Sequence, residues 1–335
     1  MGTREALLDI LRDRAGDYVS GEDLSRTLCI SRAAVSKHVA VLKQTGYAIS
    51  ASPGKGYLFG GTPDLLLPGE IRHHLNTRIF GRGMIDYHPV IGSTNDQAKH
   101  LAAGGAGEGT LVLAEQQTEG RGRKGRSWLS PTGEGLCLSM ILRPRMSPAE
   151  ASRLTLMTAV ALAEALIQLT NLPIRIKWPN DLLVHGKKLA GILTEMTMEM
   201  DQVDVVVVGL GLNINSPRDH FAPDIRELAT SLLIESGRPW KRPALIAAFL
   251  SHFEAAYDLI QNQGFPDLLK RWKALSDLIG RPVSVHLLDT EIHGRVVDVD
   301  DEGFLILEDH DGRCHRVVSG DVVPDGRHGP RTGTD

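Results

Sequence analysis

Gly120-Arg121-Gly122-Arg123-Lys124-Gly125-Arg126-Ser127-Trp128 sets four cationic side chains on a backbone loosened by three glycines and closes the run with an indole. Glycine lets backbone N–H groups approach an anion closely, and arginine forks take phosphate oxygens two at a time. An isolated Arg/Gly run can equally be a solvated, nucleic-acid-binding tail. Here the flanks decide: Leu111 to Ala114 and Leu136 to Leu142 read as short buried strands, so the loop is pinned at both ends inside a folded domain. Two common phosphate cradles are excluded by spacing. No Gly-x-x-x-x-Gly-Lys-Ser/Thr occurs, and Gly209 and Gly211 lack the third glycine of a dinucleotide fingerprint.

Outward from the loop, residues 63–275 alternate helical and strand patterns, with helices after Thr94 and over 150–169, 243–261 and 265–275. Strands are expected at Ile174 to Trp178, Gly191 to Met196 and Val203 to Gly209. That is an α/β (α+β) catalytic domain. From 276 to 325 the pattern changes to short alternating strands (Val283 to Leu288, His293 to Val299, Phe304 to Leu307, Cys314 to Val318) with Asp/Gly turns, which predicts a small C-terminal β-barrel. Residues 326–335 read as a disordered polar tail.

Residues 1–62 form a pattern of their own. Thr3 can cap a first helix, Ser20 opens a second, and Ser31 opens a third in which Val35, Val39 and Leu42 recur at helical spacing. Two strand-like runs follow, joined by Ser52-Pro53-Gly54-Lys55-Gly56, a turn by composition. Three helices and a hairpin make a winged helix-turn-helix, whose third helix would enter the major groove. Ser31, Arg32, Ala33, Ser36 and Lys37 would face outward on it, with Lys55 in the wing. Between Arg26 and Lys55 there are five Lys/Arg and no Asp or Glu, the footprint of a phosphate-facing surface, although winged helices also serve as protein-protein modules. Gly60 to Asp64 reads as the linker to the catalytic domain.

Five further sites carry chemistry. Ser93-Thr94-Asn95 offers two hydroxyls and an amide for a compact polar head group, while Thr94 with Gln97 also matches a capping box. Gln117 places an amide at the root of the loop. Lys177-Trp178-Pro179-Asn180-Asp181 ends a strand on a proline and exposes an amide and a carboxylate side by side. A hairpin through His185-Gly186 would bring Lys188 near Asp181, in a pair that could also be a plain surface bridge. Gly209-Leu210-Gly211-Leu212-Asn213 is a strand whose glycines let something pack on bare backbone. No nucleophile appears with its own base and no metal-ligand cluster stands out. Cations and donors without a nucleophile suit activation of a carboxylate by a nucleotide, with magnesium arriving on the ATP.

Together these segments resemble the biotin protein ligase family, and the winged-helix front makes the chain similar to the bifunctional members that also repress biotin genes. Gln117 to Trp128 follows the family's Q-T-x-G-R-G-R-x-G-R-x-W, Lys177 to Asp181 its K-W-P-N-D, and Lys188 to Leu193 and Gly209 to Asn213 fall in order after it. Ser31 to His38 and Pro53 to Tyr57 resemble the recognition helix and wing, and Ser319-Gly320-Asp321-Val322 matches in the barrel, which the resemblance makes SH3-like. The resemblance implies synthesis of biotinyl-5'-AMP from biotin and ATP, then transfer to a lysine of the biotin carboxyl carrier protein of acetyl-CoA carboxylase. It implies biotin contacts from Ser93, Thr94, Asn95, Gln117, Gly120, Arg121, Gly122, Arg123, Lys188, Gly191, Gly209 and Gly211. Nucleotide contacts would come from Arg123, Arg126, Trp128, Lys177, Asn180 and Asn213, and catalysis from Arg123, Lys188 and Asp181. It also implies an adenylate-bound homodimer on operator DNA, with biotinyl-AMP as corepressor. A biotin sensor without transfer and a lipoate or octanoyl transfer enzyme are the alternatives; Gly120 to Trp128 speaks against the latter.

Bulk composition fits this and adds limits. A formal charge of -4 over 335 residues gives no whole-chain nucleic-acid signature, so DNA binding rests on the local basic stretch. Cys29, Cys137 and Cys314 are widely separated and read as reduced, in a cytoplasmic protein. The N-terminus lacks the pattern of a signal peptide, and Leu154 to Leu169 reads as a core helix too short to span a bilayer, so no membrane partner is expected.

Overall fold

In the computed structural model, which describes residues 2–199, 202–287 and 290–325, the chain divides into two compact units, Met1–Leu65 and Leu66–Asp335. The expected tail over 326–335 and the end of the expected strand at Leu288 lie outside the described residues.

In the first unit, helices α1 (Thr3–Asp13), α2 (Gly21–Leu28) and α3 (Arg32–Gln44) close on Leu7, Leu11, Leu24, Val35, Val39 and Leu42. The cap of α1 is Gly2 rather than Thr3: Glu5 reaches back to the Gly2 N–H at 3.1 Å, leaving Thr3 as the first helical residue. Ser20 and Ser31 cap α2 and α3 as read, accepting from Asp23 N at 3.0 Å and Ala34 N at 3.1 Å. A two-residue strand, β1 (Tyr18–Val19), was not legible; it pairs with the second arm of the hairpin formed by β2 (Ala48–Ser52) and β3 (Gly56–Gly61), giving the order β1-β3-β2. Gly56 is required there. Its φ is +109°, and a Cβ would stand 2.1 Å from the Val19 carbonyl. Because β3 runs on to Gly61, the first half of the expected linker is strand.

The second unit opens with α4 (Pro68–His74) and β4 (Ile85–Ile91), followed by α5 (Thr94–Ala103), β5 (Leu111–Gln117), β6 (Gly135–Leu142), α6 (Pro148–Thr170), β7 (Ile174–Lys177), β8 (Asp181–Val184), β9 (Lys187–Glu199) and β10 (Gln202–Asn213). Then come α7 (Leu232–Ser236), α8 (Arg242–Gln263) and α9 (Pro266–Leu275). The seven strands form one sheet, β4-β5-β6-β10-β9-β8-β7, in which only β4 and β5 run parallel.

Strand alternation sorts the two faces. Val206, Val208, Leu210 and Leu212 of β10 join the large core with α6, α8 and α9, whereas Val205 and Val207 pack with Ala98 and Ala102 of α5. By the same alternation Gly209, Gly211 and Asn213 continue the α5-side row. Helix α6 is longer than its sequence suggested and by length and composition could cross a membrane. It lies instead in the core, with Leu154, Met157, Val160, Ala161 and Leu162 fully buried.

The last strands, β11 (Pro282–His286), β12 (Glu291–Val299), β13 (Leu305–Glu308), β14 (Cys314–Val317) and β15 (Asp321–Pro324), form the expected small antiparallel barrel-like sheet, in the order β14-β13-β12-β11-β15. Its β12–β13 turn is fixed to the main sheet: Trp178 Nε1 donates to the Gly303 carbonyl at 3.0 Å.

Candidate functional site

The α5-side row of β10 ends under the site. A Cβ on Gly209 would stand 2.2 Å from Asn95 Oδ1, and one on Gly211 would stand 2.3 Å from Trp128 Cε2. Both glycines are therefore bare backbone on which a side chain is stacked. Ser93, not Thr94, caps α5. That frees Thr94, whose N–H and hydroxyl both donate to Gln117 Oε1, at 2.8 and 3.0 Å. Gln97, expected as the capping-box partner, donates instead to Asp86 at 2.8 Å.

Ser139, buried on β6, lies 2.8 Å from Thr94 Oγ1 and 2.6 Å from Asn95 Oδ1. Thr94, Asn95, Gln117 and Ser139 thus make a largely buried polar cluster, the floor of the candidate site. Ser139 escaped the sequence reading; its only signal was a hydroxyl interrupting the apolar run Leu136 to Leu142.

The basic run folds back on itself. Trp128 N donates to the Gly120 carbonyl at 2.8 Å, Gly122 N to the Arg126 carbonyl at 2.7 Å, and Arg123 to Gly125 makes a single turn with Lys124 at φ +55°. Gly120 has no room for a side chain, since a Cβ would stand 2.5 Å from the Trp128 carbonyl. Its cations go to different neighbours. Arg121 pairs with Asp96 of α5, Arg123 Nη1 donates to Asn180 Oδ1 at 3.1 Å, and Lys124 and Arg126 reach Asp321 at 3.2 and 2.6 Å. Burial lowers the Arg123 pKa against the pull of Asp321 and Asp181, from a reference so high that it stays cationic at neutral pH. Burial alone would raise Asp321, but Arg126 and Lys124 hold it below the usual carboxylate range.

The β8–β9 hairpin forms as read, with His185 and Gly186 at positive φ in its turn. It brings Lys188 Nζ to 2.8 Å from Asp181 Oδ1 and 5.7 Å from the Trp128 ring centroid. The buried Asp181 Oδ1 makes no aligned hydrogen bond, so this contact is an ion pair only. Lys177 sits opposite Asp181 across the β7–β8 turn, and burial, with Lys188 adding repulsion, lowers its pKa against the attraction of Asp181. Asn180 is locked by Nδ2 donation to the Ile192 carbonyl at 2.9 Å. Asn213 turns its side chain to the Thr230 carbonyl at 3.0 Å.

The predicted site residues therefore fall into three linked clusters: the polar floor, the loop with Trp128 over Gly211, and the Lys177–Asp181–Lys188 group. Arg121 and Arg126 point away from the floor, toward carboxylates. Cys137 lies in the same region, but burial pushes its thiol up to about 11, which removes it as a nucleophile near neutral pH. In the first unit, Ser31, Arg32, Ala33, Ser36, Lys37 and Lys55 are all exposed.

A mixed sheet with a glycine-backed polar cluster beside a cationic loop is the frame of a ligase-type site. The model of the biotin/lipoate A/B protein ligase family matches residues 87–213, that of the biotin protein ligase C-terminal domain matches 278–323, and an HTH domain model matches 3–58. The chain belongs to the biotin/lipoate A/B protein ligase family. It is 37% identical over 319 residues to the bifunctional ligase/repressor BirA of Bacillus subtilis, spanning 95% of this chain and 98% of that one. The Escherichia coli protein of the same name is 36% identical over 92% of this chain and 93% of its own. Among solved structures, the biotin protein ligase of Aquifex aeolicus in complex with biotin and ATP matches with a TM-score of 0.63 at 26% identity, covering 72% of this chain and 98% of that one.

Proposed function

We propose that this chain is a biotin protein ligase: it activates biotin with ATP to biotinyl-5'-AMP and pyrophosphate, then transfers the biotinyl group to a lysine of a biotin carboxyl carrier protein, that of acetyl-CoA carboxylase. The observation that carries the reading is the convergence of the polar floor, the Trp128-closed cationic loop and the Lys188–Asp181 pair on one face of the sheet. Thr94, Asn95 and Gln117, with Ser93, take the ureido head of biotin. Gly120 to Arg123 cover its tail, and Gly191, Gly209 and Gly211 give the bare backbone on which Asn95 and Trp128 rest beside it.

In the first step the biotin carboxylate attacks the α-phosphorus of ATP and expels pyrophosphate. The protein contributes positioning and positive charge. In this reading Arg123 and Lys188 meet the developing charge, and Trp128, Lys177, Asn180, Arg126 and Asn213 contact the nucleotide. Magnesium enters with the ATP, on its phosphates. In the second step the acceptor lysine attacks the mixed anhydride, its nitrogen loses a proton as the amide forms, and AMP leaves. Asp181 orients that amine or takes its proton.

The domains are 1–62 for operator DNA, 63–275 for catalysis and 276–325 for the barrel. Loaded with biotinyl-AMP, the cytoplasmic protein acts as a homodimeric repressor of biotin genes, reading DNA through the exposed face of α3 and the wing. Mass spectrometry of a purified carrier domain incubated with this protein, biotin and MgATP tests the enzyme. A gain of one biotinyl group is expected; no gain with biotin still bound would replace the ligase with a sensor.

A further inference from the structure

One charged chain touches the site without belonging to its floor. Asp96 and Lys99 stand one turn apart on α5, and Lys99 Nζ lies 3.0 Å from Asp96 Oδ1 and 2.9 Å from Glu195 Oε1 of β9. Glu195 uses its second oxygen differently: Oε2 accepts from Asn95 Nδ2 at 2.7 Å. At the other end, Asp96 holds the guanidinium of Arg121. Arg121–Asp96, Lys99–Glu195 and Asn95–Glu195 are charge-assisted hydrogen bonds, and Lys99–Asp96 is an ion pair. The series Arg121–Asp96–Lys99–Glu195–Asn95 therefore connects the glycine-rich loop to the amide that rests on Gly209, and from there to Ser139, Thr94 and Gln117.

Two features separate this series from ordinary surface pairs. It balances two positive against two negative charges across three elements, the loop, α5 and β9. It also ends on a buried group, since Asn95 is 5% exposed. Within the loop, the backbone bonds Gly122–Arg126 and Trp128–Gly120 are internal and do not fix it to α5.

We propose that Asp96, Lys99 and Glu195 form a latch that positions the glycine-rich loop over the sheet. They are positioning residues: Asp96 acts through Arg121, and Glu195 through Asn95. The latch deepens the ligase reading and rests on it for the identity of the retained ligand, but its mechanical part can be tested without one. Loop opening costs the Arg121–Asp96 pair, a half-exposed contact whose carboxylate Lys99 holds in place, so removing Asp96 or its Lys99 support should change opening about three- to fivefold.

The test uses the full chain. First, ligand-free protein is digested with trypsin under native conditions and cleavage within 121–126 is timed. Asp96→Asn and Lys99→Met should cut about three- to fivefold faster than wild type at unchanged melting temperature, Asp96→Glu should recover much of the protection, and the differences should vanish in 1 M salt, where screening reaches about 3 Å. Second, the release of preformed biotinyl adenylate is followed, and the same variants should lose it faster by a similar factor. Equal trypsin rates in wild type, Asp96→Asn and Lys99→Met would overturn the latch. Should Asp96→Asn fail to fold, Lys99→Met decides. Faster cleavage in a protein that neither makes nor holds adenylate would uphold the latch and refute the ligase reading.

Discussion

Gly211→Ala adds one methyl group beneath Trp128, and its cost can be worked from the geometry. The new Cβ would lie 2.3 Å from indole Cε2, against an ordinary carbon–carbon contact of about 3.5 Å, so about 1.2 Å of separation must be found. The strand cannot supply it. Gly211 is paired on both sides, with Cys137 of β6 and Gly191 of β9, in the middle of the sheet. The indole must move, and with it the end of the loop that it closes through Gly120. Overpacking of this kind costs about 1–3 kcal/mol, or roughly 5- to 150-fold in an equilibrium constant. Because the strained partner is half-exposed and belongs to the loop, the penalty should fall on ligand retention more than on folding. Titration calorimetry with a non-reactive biotinyl-adenylate analogue should show weakened binding in that range, with a near-native melting temperature. Gly191→Ala gives an internal scale: its Cβ would stand 3.3 Å from Lys188 Cε and 3.4 Å from Trp128 Cζ3, and its effect should be the smaller. A lowered melting temperature with native affinity would refute the reasoning, since the sheet would then have absorbed the methyl group.

Three other outcomes are expected. Arg123→Ala removes a charged donor from the loop and should let biotinyl-AMP escape about 10- to 150-fold faster, seen as free adenylate by liquid chromatography; unchanged retention would count against the loop's role. Asp181→Asn should slow transfer from preformed adenylate to the carrier domain by about 100-fold or more, and a normal single-turnover rate would exclude it as orienter or base. Asp321→Asn probes a carboxyl whose folded pKa is depressed, so its ion pairs contribute stability above its unfolded value and lose it as pH falls through the lower folded one. Urea midpoints of wild type and variant should therefore differ near neutrality and converge below about pH 3.9, with a constant gap contradicting the pairing.

What the sequence disclosed was mostly local. Ser31 capping α3, the turn at Gly54 to Gly56, and the hairpin that carries Lys188 back to Asp181 each depend on residues within ten positions, where capping and turn chemistry act directly. Strand β4 was missed for a physical reason: Pro89 inside Ile85–Ile91 argues against a strand, and the run is tolerated because β4 is an edge of the sheet. For α5, a hydroxyl followed three residues later by Gln points to Thr94 as the cap. What shifts the cap to Ser93 is tertiary, the demand of Gln117 for both Thr94 donors. Ser139 and Glu195 stayed invisible, and Asp321, legible only as part of the barrel's motif, showed no link to the loop, because their partners lie 45, 100 and 195 positions away. Only the sheet order and the docking of the small barrel bring them in.

That same long-range assembly alters the meaning of the run that was easiest to read. By composition, the four cations of Gly120 to Trp128 are unpaired and call for an anion. In the folded chain every one has a partner outside the loop: Asp96 on α5, Asn180 after β7, and Asp321 on β15 for both Lys124 and Arg126. The side chains in the ion pairs remain between 28% and 54% exposed, so each pair is worth at most about 1 kcal/mol. A polyphosphate, with more charge and more acceptors than one carboxylate, can displace Asp321 from Lys124 and Arg126 at little cost. The carboxylates thus keep the guanidinium groups oriented and the loop folded without neutralising them permanently. Free cations would gain more Coulomb energy on meeting an anion, but from a loop that first had to be ordered, at about 1–2 kcal/mol per backbone residue.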